Sequence, residues 1–171
     1  VSDVPEDPAV MWNITDGSAL CAFRQPGSAI AFLELSPCGA KLVTSSFSDI
    51  SVWDVASGQL QREFPSPTGG LFGVTITTAG ARVIGWFMED VFVVDVGSGE
   101  VATQLVVDAF VRDFVLLPGE RRFVAFSGAS AAVWDIASGK RACALAGGSN
   151  GLYHVAVSDG GSVIAACGSS P

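Results

Sequence analysis

One short phrase recurs four times along the chain, each time an apolar or aromatic pair followed by Asp or Asn. A turn of small residues follows every copy and ends in glycine, at Gly17, Gly58, Gly99 and Gly139. A fixed period of about 40 residues indicates that the chain consists of copies of one supersecondary unit. The copies are Met11-Trp12-Asn13, Val52-Trp53-Asp54, Val93-Val94-Asp95 and Val133-Trp134-Asp135, spaced by 41, 41 and 40 residues.

Between the phrases, short apolar runs alternate with turn residues, which is the pattern of β-strands. The second copy predicts strands at 50–55, 59–64, 71–77 and 82–87. We expect the strand just before each phrase (41–46, 82–87, 122–127) to be the third of its sheet. The strands before these lie at 30–35, 71–77, 111–116 and 152–157. The pattern predicts about sixteen strands and almost no helix, because no apolar stripe with a helical period is sustained.

A radial array of four-stranded antiparallel sheets, a β-propeller, accounts for this pattern. Stacked sheets bury both faces, as the continuous apolar runs 92–94 and 123–126 require. A membrane barrel needs strands of about 9–11 residues, so that layout is rejected. We predict one propeller segment over residues 1–171, with about four repeats and ends that cut through a repeat, within a longer polypeptide.

The composition favours a folded chain and disfavours nucleic acid and membrane as partners. Hydrophobic residues make up 49% and charged residues 15% of the chain, which argues against disorder. The net charge is −8, whereas a protein surface that binds the phosphate backbone of nucleic acid needs clustered Lys and Arg side chains. The local basic clusters, Arg121-Arg122 and Lys140-Arg141, are interpreted as solvated turn charges. The chain contains no run of about 20 apolar residues, so we expect no membrane-spanning helix.

The four cysteines do not form a metal-binding or disulfide pattern. They contain no C-x-x-C pair, and the single histidine His154 leaves no Cys/His zinc constellation. Cys21 and Cys143 each follow the repeat Trp by nine residues, so they occupy the same slot in different repeats and are not expected to pair. We interpret Cys21, Cys38, Cys143 and Cys167 as buried free thiols in a reducing compartment.

Catalytic constellations are not expected either. His154 lies within an alternating strand, where a structural role is the simpler interpretation. Asp54, Asp95 and Asp135 recur once per repeat and are therefore interpreted as parts of the fold, and the pair Glu89-Asp90 lies in a turn. The glycine-rich stretch 147–151 lacks the Lys and the helix of a phosphate loop. We expect no catalytic residue and no metal site.

The repeat resembles the WD40 propeller family over about residues 9–167. The run 35–43 (LSPCGAKLV) is similar to the family's F-S-P-D-G-x-x-L-A hairpin. The run 50–58 (ISVWDVASG) is similar to its V-x-V-W-D-x-x-T-G strand and turn, and 133–139 (VWDIASG) repeats the latter. The resemblance implies a propeller whose sheets are its blades.

This chain departs from the family where the family builds a buried polar network. No inner strand is preceded by Gly-His, and Phe47, Met88 and Gly128 stand where an Asp is usual. Asp49 and Asp90 follow two residues later. We therefore expect repeats that are stabilised by apolar packing instead of the network.

The resemblance implies a non-catalytic scaffold that binds other proteins, in the cytoplasm or in cytoskeletal or ciliary assemblies. A sensor or substrate receptor of a large nucleotide-binding or ubiquitin-ligase protein is one alternative, and a propeller with an enzymatic or ligand-binding central channel is another. A second copy of the chain could also close the ring. No cofactor is expected, because Arg62, Thr103 and Cys143 stand where quinone-cofactor propellers carry Trp.

Unusual apolar residues near the predicted loops are the candidate partner-binding rim. Aromatic residues and Met are enriched in the cores of protein interfaces. Trp86 is interpreted mainly as packing between blades. The candidate rim residues are Phe47, Phe87, Met88 and Phe110.

Overall fold

The computed structural model describes residues 8–25, 28–107, 110–126, 131–145 and 152–168, without the side chains of residues 152–154 and 168. Over these residues the protein is all-β, with sixteen strands and no helix, as the sequence predicts. The strands are β1 (Ala9–Trp12), β2 (Ala19–Phe23), β3 (Phe32–Leu35), β4 (Lys41–Ser45), β5 (Asp49–Asp54), β6 (Leu60–Pro65), β7 (Gly73–Ile76), β8 (Arg82–Phe87), β9 (Asp90–Asp95), β10 (Val101–Val106), β11 (Asp113–Leu116), β12 (Arg122–Phe126), β13 (Ala131–Asp135), β14 (Lys140–Leu145), β15 (Leu152–Val157) and β16 (Ile164–Gly168).

Twelve of these strands form three four-stranded sheets in which neighbours in the sheet are also neighbours in sequence. We name them by the residue at the Trp position of the phrase: the Trp53 sheet (β3-β4-β5-β6), the Val94 sheet (β7-β8-β9-β10) and the Trp134 sheet (β11-β12-β13-β14). β1 pairs with β2, and β15 pairs with β16. The phrase strand is the third strand of its sheet in chain order, so the expectation that 41–46, 82–87 and 122–127 would be third strands is wrong. β4 is the second strand, between β3 and β5.

The repeat extends to the register of the strands. Lys41 lies opposite Asp54 in the Trp53 sheet, and Arg122 lies opposite Asp135 in the Trp134 sheet. The pairing of the phrase strand with the following strand shifts just before Trp12, Trp53 and Trp134. Such an irregularity bends the strand and increases its twist. The sequence phrase therefore corresponds to a recurring backbone feature.

The repeated Asp closes the turn after the phrase strand. Asp54 Oδ1 accepts hydrogen bonds from Ser57 N at 2.9 Å and from Ser57 Oγ at 2.8 Å. Asp95 and Asp135 bind Ser98 and Ser138 in the same way. The glycines that follow, Gly58, Gly99 and Gly139, have φ of 69°, 78° and 65°, a conformation that other residues rarely adopt. Recurrence of the Asp thus reflects the turn that it builds.

The middle strands carry the core. The central residues of β4, β5, β8 and β9 are buried, whereas β6 and β14 are largely exposed. The run Phe92-Val93-Val94 is buried throughout, so successive side chains on both sheet faces are covered, as predicted. Each fully buried Val or Phe contributes about 1.5–3 kcal/mol, which makes these strands the main source of stability.

The chain divides into two compact units, each described here on its own. The first comprises residues 1–85 with 94–100, and the second comprises residues 86–93 with 101–171. In the first unit Phe23, Leu42 and Trp53 form a cluster, with the Phe23 and Trp53 rings edge to face at 5.7 Å. In the second, Val124, Phe126 and Val133 pack with Val155 and Ile164.

Candidate interaction surface

Phe47 lies at the tip of the turn between β4 and β5 and is 69% exposed. The turn, residues 46–49, is held by Ser46, whose hydroxyl accepts from Asp49 N at 2.9 Å and from Ser48 N at 3.2 Å. Ser46 N also donates to Asp49 O at 2.9 Å. Because the turn closes on itself through these bonds, it presents the Phe47 side chain on a fixed backbone.

A cavity of about 440 Å³ lies beside Phe47 and is lined by residues 28–32 and 46–48. The Phe47 ring meets the Phe32 ring edge to face, with centroids 6.4 Å apart. Ser28 Oγ is buried without a hydrogen-bond partner among the described residues. Exposed aromatic surface next to a recess is the arrangement in which interface anchors are found.

A buried hydrogen-bonded chain supports turn 46–49. Trp53 Nε1 donates to Thr44 Oγ1 at 2.8 Å, and Thr44 Oγ1 donates to Gln25 Oε1 at 3.0 Å. Gln25 Nε2 then donates to Asp49 O, also at 3.0 Å. The expectation that packing replaces the polar network is therefore wrong for this sheet. Gln25 provides the amide that completes it, and Asp49 contributes its main-chain carbonyl.

The other two sheets lack residues that could form the equivalent of this network. Gly85 and Ala125 occupy the place of Thr44, and Val94 occupies the place of Trp53 in the Val94 sheet. Glycine, alanine and valine side chains have no hydrogen-bonding atoms. The expected reliance on apolar packing holds at these positions.

Met88 occupies the place of Phe47 in the turn between β8 and β9, 41 residues later. It is 41% exposed and has a φ of 56°, in the left-handed region that favours glycine. A bulky side chain in this region costs roughly 1–2 kcal/mol. Backbone strain of this kind is concentrated at functional sites.

Phe110 is brought to the Met88 turn by main-chain hydrogen bonds. Val111 N donates to Met88 O and Val107 N donates to Glu89 O, both at 2.8 Å. Phe110 is 47% exposed, and Phe87 is half-buried beside Met88. The structure thus groups three of the four candidate rim residues in the second unit, while Phe47 belongs to the first.

Trp86 belongs to the core of the second unit. It is 6% exposed and stacks on Phe114, with centroids 5.3 Å apart, and Phe114 stacks on Phe123 at 4.4 Å. Aromatic pairs of this kind contribute about 0.5–1.5 kcal/mol beyond burial. This agrees with the interpretation of Trp86 as a packing residue. Its Nε1 atom is buried without a partner among the described residues.

The titratable groups with clearly shifted pKa values serve turns. The Lys41 ammonium, 2.9 Å from Asp54 Oδ2, and then Ser57 lower the pKa of Asp54 to about 2. Hydrogen bonds from the main chain of Ser98 and Ser138 lower the pKa of Asp95 and Asp135. The side chains of the Lys41–Asp54 pair are 21% and 27% exposed, so solvent screens the pair and its contribution to stability is modest.

The cysteines differ from the expectation in their exposure. All four are free, but Cys38, Cys143 and Cys167 are exposed and Cys21 is half-buried. The prediction of buried thiols is therefore wrong for the first three, because Cys143 and Cys167 lie on outward-facing strand positions and Cys38 lies in a hairpin turn. The Ser36 hydroxyl lowers the pKa of Cys38, whose Sγ donates to Thr78 O at 2.9 Å.

Two predictions concern residues that the structure leaves outside its description: the role of the His154 side chain and the loop 147–151. Among the described residues, no group of three or more His, Cys, Asp or Glu side chains is arranged to hold a metal ion. In the same part of the chain, no helix has the length and apolar character needed to span a membrane. No model of a known protein family matches the chain, and the search of curated proteins found no match.

Proposed function

We propose that the chain is part of a WD40-type β-propeller that acts as a non-catalytic scaffold and binds other proteins through its exposed turns. The recurring Asp-Ser-Gly turn, the shift of register before Trp12, Trp53 and Trp134, and the Trp53–Thr44–Gln25 network support this family resemblance. In a propeller, the three four-stranded sheets are blades. A crystal structure in which Trp12, Trp53 and Trp134 are not related by rotation about one axis would contradict that arrangement.

The observation that carries the functional proposal is the exposure of large apolar side chains at equivalent turns. Phe47 and Met88 occupy the same position of successive repeats, and both point an apolar side chain into solvent. Polar residues or glycine would satisfy a turn at lower cost. Met and aromatic residues bury large surfaces when a partner covers them.

The interaction partners we propose are proteins in the cytoplasm, including cytoskeletal or ciliary assemblies. Four free thiols fit a reducing compartment. The net charge of −8 favours protein partners over nucleic acid, since an acidic surface repels phosphates.

Affinity capture from cell extracts, quantified by mass spectrometry, tests the proposal. The test variants are Phe47→Asp, Met88→Asp and Phe110→Asp, which place a charge where apolar burial is needed. Val101→Asp is the matched control, because Val101 is 44% exposed at the start of β10, at the opposite end of that strand from the Met88 turn. We expect a set of proteins that the control retains and the test variants lose. If all four variants capture the same proteins as the unaltered chain, the turns do not bind partners.

A further inference from the structure

A polar cavity of about 330 Å³ lies within the second unit, apart from the turns discussed above. The turn between β11 and β12 forms one side, and the turn between β15 and β16 forms the other. The two turns approach closely: a Cβ atom on Gly161 would lie 3.1 Å from Pro118 Cδ. The lining residues are Leu117, Pro118, Gly119, Arg121, Arg122, Asp135, Gly160 and Gly161.

The two basic clusters of the sequence have different surroundings. Arg121 and Arg122 line this cavity, whereas Lys140 and Arg141 are not among its lining residues. Arg121 and Arg122 have no carboxylate within ion-pair distance among the described residues. Both arginines are exposed, as the interpretation of solvated turn charges predicts, and both also line the same recess.

In the Trp53 sheet, the cation at the equivalent position is paired with a carboxylate. Lys41 corresponds to Arg122 and lies opposite the corresponding carboxylate, with Lys41 Nζ 2.9 Å from Asp54 Oδ2. The Lys41 stem also packs on Gly80, where a Cβ would lie 2.5 Å from Lys41 Cγ. In the Trp134 sheet, Asp135 is the carboxylate that lines the cavity, but neither Arg121 nor Arg122 lies within ion-pair distance of it. Its Oδ1 atom already accepts two bonds from Ser138. The cavity thus has an excess of positive charge.

We propose that this cavity binds a phosphate-type oxyanion, free or as a small phosphate monoester. Guanidinium groups bind such anions through paired, charge-assisted hydrogen bonds. Gly119, Gly160 and Gly161 carry no side chain, so an anion can approach the main chain of both turns. The volume exceeds what a single water needs and accommodates a hydrated phosphate group. The proposal does not depend on the protein-binding role of Phe47 and Met88.

Titration of the whole chain with inorganic phosphate and with phosphoserine, at constant ionic strength set with chloride, tests the site. Calorimetry measures affinity, and NMR follows the amide signals of Gly160 and Gly161. The double variant Arg121→Gln/Arg122→Gln should weaken binding by at least about tenfold, because charge-assisted bonds are the strong ones. Arg24→Gln/Arg62→Gln removes the same charge from residues of the first unit that do not line the cavity, and it should change binding little.

A variant that should bind the anion more tightly distinguishes loss of the site from misfolding, because misfolding can only weaken binding. Asp135→Asn keeps an oxygen for the Ser138 bonds but removes the negative charge, so it should tighten binding several-fold. Tighter binding of phosphoserine than of phosphate identifies a monoester ligand, and the reverse order identifies the free anion. Absence of binding by both ligands, or equal weakening by the two double variants, would overturn the proposal.

Discussion

Trp53 Nε1 donates a 2.8 Å hydrogen bond to Thr44 Oγ1, whereas Trp86 Nε1 is buried without a partner among the described residues. The two indoles are almost equally buried, at 5% and 6% exposure. A comparison of the two residues therefore distinguishes the contribution of a buried hydrogen bond to stability from the contribution of apolar burial.

Replacing each indole by Phe should have unequal effects on stability. Trp53→Phe removes the donor of the network and should lower the free energy of unfolding by about 1–3 kcal/mol. Trp86→Phe removes an unpaired buried N–H while it keeps an aromatic ring beside Phe114, so its cost should stay below about 1 kcal/mol. Urea unfolding of both variants measures the difference. Equal costs would show that the network contributes nothing beyond packing.

Gln25 should be the residue on which the network depends. It accepts from Thr44 and donates to Asp49 O, so Gln25→Ala leaves both buried partners unsatisfied and should cost about 1–3 kcal/mol. Hydrogen exchange should quicken at residues 46–49, because the turn loses one anchor. Gln25→His is the informative comparison, because a neutral imidazole can also accept from Thr44 with one ring nitrogen and donate to a carbonyl with the other. Unchanged hydrogen exchange at residues 46–49 in Gln25→Ala would show that the network does not stabilise the turn.

Glu120 is strained in a place where other hairpins carry glycine. Its φ is 55°, and the equivalent Gly39, Gly80 and Gly161 have φ of 72°, 68° and 67°. Glu120→Gly should therefore raise the free energy of unfolding by about 0.5–1 kcal/mol, measured by urea unfolding. Glu120→Ala removes the carboxylate but keeps the strain, so it should bring no gain. A gain in both variants would assign the effect to the carboxylate.

Stability should fall as the pH drops from about 5 to 2, partly through Asp54. Its pKa is lowered in the fold to about 2, from an ordinary value near 3.9 in the unfolded chain. A lowered carboxyl pKa contributes stability above the unfolded value, and this is lost as the pH falls through the folded value. Asp54→Asn should thus differ from the unaltered chain most near pH 6 and least near pH 2.

Thermal unfolding across this pH range checks the prediction for Asp54. Asp159→Asn, a change at an exposed turn residue, serves as the control. If the effect of Asp54→Asn stayed constant from pH 6 to pH 2, the ion pair with Lys41 would make no pH-dependent contribution.

The strands could be predicted from the sequence because their signals are local. The alternating or continuous apolar runs and the glycine turns place β8 and β15 at their observed bounds, and the other seven strands with predicted bounds within two residues. The repeated Asp could also be assigned to the fold, because its partner Ser lies only three residues away.

The polar network could not be predicted, because its members are distant or act through the main chain. Gln25 lies 19 residues from Thr44 in sequence, and Asp49 contributes a carbonyl that every residue type possesses. The exposure of Cys143 on β14 depends on which strand forms the outer edge of its sheet, and residue type alone does not decide this.

The candidate rim was predictable only in part. Large apolar residues next to turns identified Phe47, Met88 and Phe110, and all three are exposed. The sequence did not reveal the left-handed conformation of Met88, because nothing about Met favours a positive φ.

Met88→Gly tests in one variant whether the turns carry apolar side chains for binding at a cost to stability. We expect Met88→Gly to raise the free energy of unfolding by about 0.5–1.5 kcal/mol and also to lose the proteins that Val101→Asp retains. Met88→Ala keeps the strain, so it should lose the same proteins without the gain in stability. Full capture of those proteins by Met88→Gly would contradict the account.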